Sequence, residues 1–162
     1  SRLNEILEII YNDETNLVLD AACIEIVKSK KFSSLPIITP HEGEAAKLLG
    51  INVDEISNKR EYYAQKISDK FSVITVLKGY ETIITDGNEI YICKDGDSSL
   101  AFAGSGDILA GLIGSFLAQG AKRIDSCLLG VSIHAYSATN SKLKRGLTAN
   151  ELIDLIRKNL NQ

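Results

Sequence analysis

Residues 101–120 read AFAGSGDILAGLIGSFLAQG, in which three small residues and a carboxylate (Gly104, Ser105, Gly106, Asp107) run straight into an apolar helix. Gly104 and Gly106 permit backbone conformations that a side chain forbids, so successive N–H groups can turn toward one ligand. The helix that follows adds its unpaired first-turn N–H groups and the positive end of its dipole, which suits an anion, phosphate above all. Asp107 is the odd member, because a carboxylate repels phosphate unless it has chemistry to do. A base beside a phosphate cradle is what phosphorylation of a hydroxyl requires. The same aspartate serves equally as a helix cap, so the loop alone leaves both readings open.

Upstream of this loop, short apolar runs alternate with helical patterns. Apolar spacing predicts a helix over 2–11, ending near Asn12 and Asp13, then a buried strand over 16–20 and a helix over 21–31. A second strand over 35–39 is stopped by Pro40. Thr39, Pro40 and Glu42 then read as N-cap, first position and third position of a helix that runs to Gly50. One or two surface helices fill 54–70, and 72–78 (SVITVLK) is the most clearly buried strand. Runs 82–85 and 89–93 flank Asp86-Gly87-Asn88, a hairpin signal. Downstream, helices are predicted over 105–119 and 124–144, and Thr148 with Glu151 forms a capping box opening the last helix, 151–160. This order gives an α/β layered fold with a mainly parallel central sheet flanked by helices. Ligands in such sheets sit beyond the carboxyl ends of the strands, where Asp20, Thr39 to His41, Lys78-Gly79 and the glycine-rich loop all fall.

With 162 residues and 44% hydrophobic content, the chain is one domain or most of one, soluble and globular. A net charge of −3 argues against nucleic-acid binding, and no apolar run reaches the length of a membrane span. Three scattered cysteines without a CxxC favour a reducing, cytoplasmic setting and disfavour structural zinc; two histidines disfavour a histidine-built metal cluster.

Each candidate residue carries a plain reading beside a functional one. Lys78 can neutralise phosphate or be a solvated strand-end lysine. His41 can hold a polar substrate or only hydrogen-bond at a helix start. Asp20 can touch substrate or a metal-bound water, or cap the following helix. Glu42 and Glu44 suit the helix N-terminus, and His134 reads as a satisfied core histidine. The cluster Lys142, Lys144 and Arg145 suits a helix C-terminus and is assigned no partner.

Set side by side, DAACI (20–24), TPHEGEAAKLLG (39–50), VLKGYET (76–82) and AFAGSGDILAG (101–111) resemble, in order and spacing, the NAD(P)H-hydrate dehydratase family of the ribokinase-like superfamily. The stretch 130–138 resembles the family's histidine-containing helix. Departures from the pattern are Ala22 for an acid, Glu42 for a proline, Phe102 and Ser105 for threonines and Ala103 for a glycine; Ser105 keeps the hydroxyl. The early strands and glycine-rich segment of the family have no counterpart, so the resemblance implies a single, partial ribokinase-like domain over 1–162, with an exposed sheet edge and no activity alone. It further implies repair of hydrated NADH or NADPH, driven by ADP or ATP with Mg2+, in which the ring hydroxyl is phosphorylated and phosphate then leaves. Carried over residue by residue, Lys78, Gly79, Tyr80, Glu81, Thr82, Gly104, Ser105 and Gly106 hold the nucleotide. His41 and Asp107 face the hydrate, Asp107 as catalytic base, and no residue is assigned as a metal ligand. The resemblance also implies a homo-oligomer. The alternatives are a ribokinase-like kinase of a small alcohol such as a vitamin precursor, or a non-catalytic nucleotide-binding fragment.

Overall fold

Strands buried on both faces are largely apolar, and 74–77 (Ile-Thr-Val-Leu) is such a run, its one buried hydroxyl, Thr75, accepting from Ser68 Oγ at 2.8 Å. It forms β3 (Ile74–Leu77), the middle strand of a five-stranded sheet in the order β1-β2-β3-β4-β5. The structure is a computed structural model that describes residues 2–12, 15–96, 98–141, 143 and 145–161, without the side chains of Leu3, Asn4 and Ile10. β1 (Val18–Leu19) and β2 (Ile37–Ile38) lie parallel to β3, in the register Leu19–Ile38 and Ile38–Thr75. β4 (Thr82–Thr85) and β5 (Ile90–Cys93) continue it antiparallel. The sheet is thus parallel through its first three strands and turns antiparallel through the expected hairpin. The Asp86 carboxylate accepts from the Asn88 and Glu89 amides, which closes that turn.

Alternation along the strands divides the core into two layers. Leu19, Ile38, Leu77 and Ile83 face one side, against α2 (Glu42–Leu49), α3 (Val53–Asn58) and α4 (Arg60–Phe71). Ile37, Ile74, Val76 and Ile84 face the other, against α5 (Ser105–Ala118) and α6 (Arg123–Thr139). Leu109, Ile113 and Leu117 make the buried stripe of α5 at a four-residue interval. The last helix, α7 (Ala149–Leu160), opens on the predicted Thr148–Glu151 capping box and packs on α6 through Leu152 and Ile156. α1 (Arg2–Ile10) docks through Leu7 and leaves Ile9 83% exposed.

Three local expectations are corrected. Thr39 is not the N-cap of α2: it is fully buried, and the Pro40 carbonyl still accepts the Lys78 N–H at 2.8 Å. The chain is therefore still held to the sheet at Pro40, and the helix starts two residues later than predicted, capped by His41. The helix predicted over 21–31 is a 3-10 helix, Ala21–Lys28. α6 ends at Thr139 rather than at 144, with Asn140 as its C-cap and the Asn140 side-chain amide also donating to the Tyr136 carbonyl. Lys142 and Lys144, of the basic cluster, lie outside the described residues, as does the Asp13 end of the first helix. Among the described residues no helix is long and apolar enough to cross a membrane.

Candidate functional site

The carboxyl ends of β1, β2 and β3 bring three polar residues from distant parts of the chain into one network. Asp20, just past β1, is followed by Ala21 at φ 50°, a left-handed conformation that costs a non-glycine residue about 1–2 kcal/mol. Asp20 makes no side-chain cap to the 3-10 helix. Its Oδ1 instead accepts from Thr39 Oγ1 at 2.7 Å and from Lys78 Nζ at 2.8 Å. Burial alone would raise this carboxyl, but the Lys78 and Thr39 hydrogen bonds and the lysine charge outweigh it and hold it below its ordinary range. Glu44 Oε2 lies 4.0 Å from the same ammonium.

His41 is oriented by α2. Its Nδ1 accepts from the backbone N–H groups of Gly43 (3.0 Å) and Glu44 (3.3 Å), while Glu44 Oε2 accepts from the His41 N–H at 2.8 Å. With Nδ1 occupied as acceptor, the neutral ring carries its proton on Nε2, 3.7 Å from Glu44 Oε2, and its side chain is largely exposed. Glu44 thus serves the helix N-terminus as expected.

Against this network stands the start of α5. Gly104, at φ 94°, is its N-cap and offers no side-chain cap. The Ser105 N–H donates to the Phe102 carbonyl at 3.3 Å, so Gly106 and Asp107 present first-turn amides without a cap. Gly106 is glycine for a reason of space: a Cβ there would stand 3.1 Å from Lys78 Nζ and 3.5 Å from Asp20 Oδ2. Asp107 is exposed in the first turn of α5, whose N-cap is Gly104, and among the described residues its side chain makes no hydrogen bond that would cap the helix.

A cavity of about 710 Å3 opens beside these residues. His41, Lys78, Gly79, Tyr80, Thr82, Ser105 and Gly106 line it; Glu81, Gly104 and Asp107 do not. Sequence reading passed over two further contributors. One is the loop set Asp95, Gly96 and Leu100, which line the cavity without any periodic signal. The other is the α6 wall of Val131, His134 and Ala135. His134 is a buried, satisfied histidine as expected, yet it also faces the cavity and donates from Nε2 to the Ser105 carbonyl at 3.0 Å. Burial pushes its pKa down to about 4, against the Ser105 hydrogen bond and with help from the Lys78 charge. Among the described residues no group of three or more His, Cys, Asp or Glu is placed to hold a metal ion.

The model of the NAD(P)H-hydrate dehydratase family matches residues 1–159. The chain belongs to that family. A bifunctional NAD(P)H-hydrate repair enzyme of Vibrio cholerae is 37% identical over 139 residues, covering 84% of this chain and 28% of that enzyme. The ADP/ATP-dependent NAD(P)H-hydrate dehydratase of Bacillus subtilis, co-crystallized with ATP/Mg2+ and soaked with CoA, superimposes with a TM-score of 0.88 at 26% identity, over 98% of this chain and 60% of that one. A ribokinase-like superfamily protein of Enterococcus faecalis, 22% identical, shares the fold with a TM-score of 0.80 over 97% of this chain and 57% of its own. The fold is therefore ribokinase-like, and the chain spans between 28% and 60% of the lengths of these relatives. In this member of the dehydratase family, Phe102 stands where the loop pattern has threonine. It packs against the cluster of Ala138, Leu147 and Leu152 and also lines the cavity.

Proposed function

We propose that this chain carries the nucleotide-driven dehydration of hydrated NADH and NADPH, as part of one ribokinase-like domain. The observation that carries this reading is the meeting of the uncapped α5 N-terminus, through Gly106, with Lys78 and Asp20 at one cavity wall. That is a place for phosphate: amide donors, a helix dipole and an ammonium converge where a side chain would obstruct. In this reading Lys78, Gly79, Tyr80, Glu81 and Thr82 hold ADP or ATP together with Gly104, Ser105 and Gly106. His41 offers its Nε2–H to the hydrate.

Asp107 lies outside the cavity lining, one residue beyond the cradle. This suits a hydrate approaching from the far side of Gly106, with its ring hydroxyl toward the phosphate. Asp107 takes the hydroxyl proton as the phosphoryl group transfers; the phosphorylated ring then expels phosphate, pushed by the ring-nitrogen lone pair, and the cation so formed loses a proton from the neighbouring ring carbon to water, which restores the dihydronicotinamide. Phosphoryl transfer of the loose kind asks for positioning and charge neutralisation more than for a strong base. Each well-aimed cradle donor is worth about 3–4 kcal/mol in the transition state, by the scale of oxyanion holes. Mg2+ fits as a companion of the phosphates. It keeps most of its waters and needs one or two carboxylates, and Asp20 turns Oδ2 toward Gly106 while Oδ1 holds Lys78. The ion would neutralise phosphate charge there.

The exposed apolar side chains of Ile9, Leu129 and Tyr136 are surface that a homo-oligomer would cover. The free thiols Cys23, Cys93 and Cys127 favour the reducing cytoplasm. The test is to mix the longest natural form of the protein with hydrated NADH, Mg2+ and either ADP or ATP, and to follow the dihydronicotinamide absorbance. Its return with nucleotide supports the reading and identifies the donor. Nucleotide binding without any return of absorbance rejects it.

A further inference from the structure

Arg60 opens α4 and has no place in the chemistry above, yet its guanidinium is the most connected side-chain group beside the cavity. Nη1 donates to the Glu81 carbonyl at 2.7 Å, and Nη2 reaches the carbonyls of Lys78 (3.3 Å) and Leu77 (3.4 Å). Nε lies 2.9 Å from Glu42 Oε1. These contacts span the turn from the end of β3 to the start of β4, the segment that carries Lys78 to Asp20 and Gly106. A second, independent feature fits the first. Gly79 lies flat against the guanidinium, and a Cβ there would stand 2.2 Å from Arg60 Nη2. Gly79 is not in a left-handed conformation, so space rather than backbone freedom requires glycine at this position.

We propose that Arg60 is the positioning residue of the nucleotide site, clamping the 78–81 turn so that Lys78 meets the α5 N-terminus, and that Glu42 aims it. The assignment to nucleotide rests on the function proposed above; the clamp itself does not. Three carbonyls that would otherwise point apart are gathered by one planar, always-charged fork, which a lysine in its place could not reproduce. Glu42 stands where the family pattern has proline, and proline offers a guanidinium nothing. The same carboxylate accepts from Ser57 Oγ at 2.6 Å, so it is held between α3 and Arg60. The Glu42–Arg60 ion pair thereby joins the α2 end bearing His41 to the Lys78 turn, beside the Lys78 N–H to Pro40 carbonyl bond and the Glu44 contact.

The test compares R60Q, R60K, E42Q, G79A and the R60Q/G79A double variant in the full chain. Two readings are taken: amide hydrogen exchange across 78–82, and the Kd for ADP with Mg2+ by titration calorimetry. R60Q is expected to speed exchange in the turn and to raise Kd about tenfold, the scale of one lost hydrogen bond to a charged group. R60K should rescue only in part, and E42Q should show a weaker form of the same change with the fold intact. G79A should match R60Q on its own, because the methyl evicts the guanidinium, yet add almost nothing to R60Q. If Gly79 acted independently of Arg60, the two substitutions would be additive. Unchanged exchange in R60Q and E42Q, or additive losses in the double variant, overturns the clamp. A wild-type chain that binds no ADP removes the nucleotide reading and with it the assignment of Arg60 to that site. ADP binding that ignores R60Q overturns the assignment alone.

Discussion

At the strand ends, Lys78, Asp20, Thr39, His41 and Glu44 are each held by a named partner at hydrogen-bond distance or close to it. Beside them, the α5 loop brings Gly106 against Lys78 and Asp20, and presents an exposed Asp107 for which no side-chain hydrogen bond is seen among the described residues. The strand-end part of the site is preorganised by side chains and the α5 part by backbone. Preorganised charge suits the part of a site that must bind the same phosphates every time, since its ordering cost is met on folding. An uncommitted carboxylate suits the part that must exchange a proton, because a base locked in an ion pair would resist taking one.

The largest break in this contrast is expected from Asp107→Asn. If the exposed side does the proton work, turnover falls by about a hundredfold or more, the range of general base catalysis. ADP affinity should hold or improve, because a carboxylate leaves the neighbourhood of phosphate. A full-rate variant in a stopped-flow or steady-state assay would reduce Asp107 to an ordinary first-turn acid.

His134 sharpens the comparison from the buried side. The unfolded chain takes up a proton near the ordinary value of 6.5, whereas the folded one does so only near 4. The unfolded state therefore binds more protons between those limits. Stability is full above about pH 6.5 and declines as pH falls toward 4, by about 3 kcal/mol at most. Urea midpoints across this range should show the decline, and His134→Gln, which cannot titrate, should flatten that part of the curve.

Lys78→Ala attacks the preorganised wall directly. Nucleotide affinity should drop by about tenfold, the worth of one charge-assisted contact, while the fold survives because Asp20 can protonate or hydrate. Unchanged affinity in a calorimetric titration would take Lys78 out of the site. Thr39→Val, the mildest change, removes only the buried hydroxyl donor to Asp20. It should cost about 1–2 kcal/mol in a denaturation experiment, with nucleotide affinity little changed.

What the sequence determined by itself is everything written in short-range spacing. The apolar runs at 74–77 and 82–85 specified buried strands, Asp86 specified the hairpin through amides two and three residues on, and Thr148 specified a helix start through Glu151. The glycine-aspartate loop likewise marked a helix start, whose N-cap the structure assigns to Gly104 without a side-chain cap. The tertiary structure alone decided which of these ends meet. Asp20 and Lys78 are 58 residues apart, and their 2.8 Å contact exists only because β1 and β3 flank β2 in one parallel sheet. The helix start at His41 rather than Thr39 follows from the Pro40 carbonyl still being held by Lys78, and the Arg60 clamp follows from α4 packing beside the β3–β4 turn. Local hydrogen bonds repeat at fixed offsets and can be read along the chain, whereas contacts between elements depend on strand order and packing, which no single offset encodes.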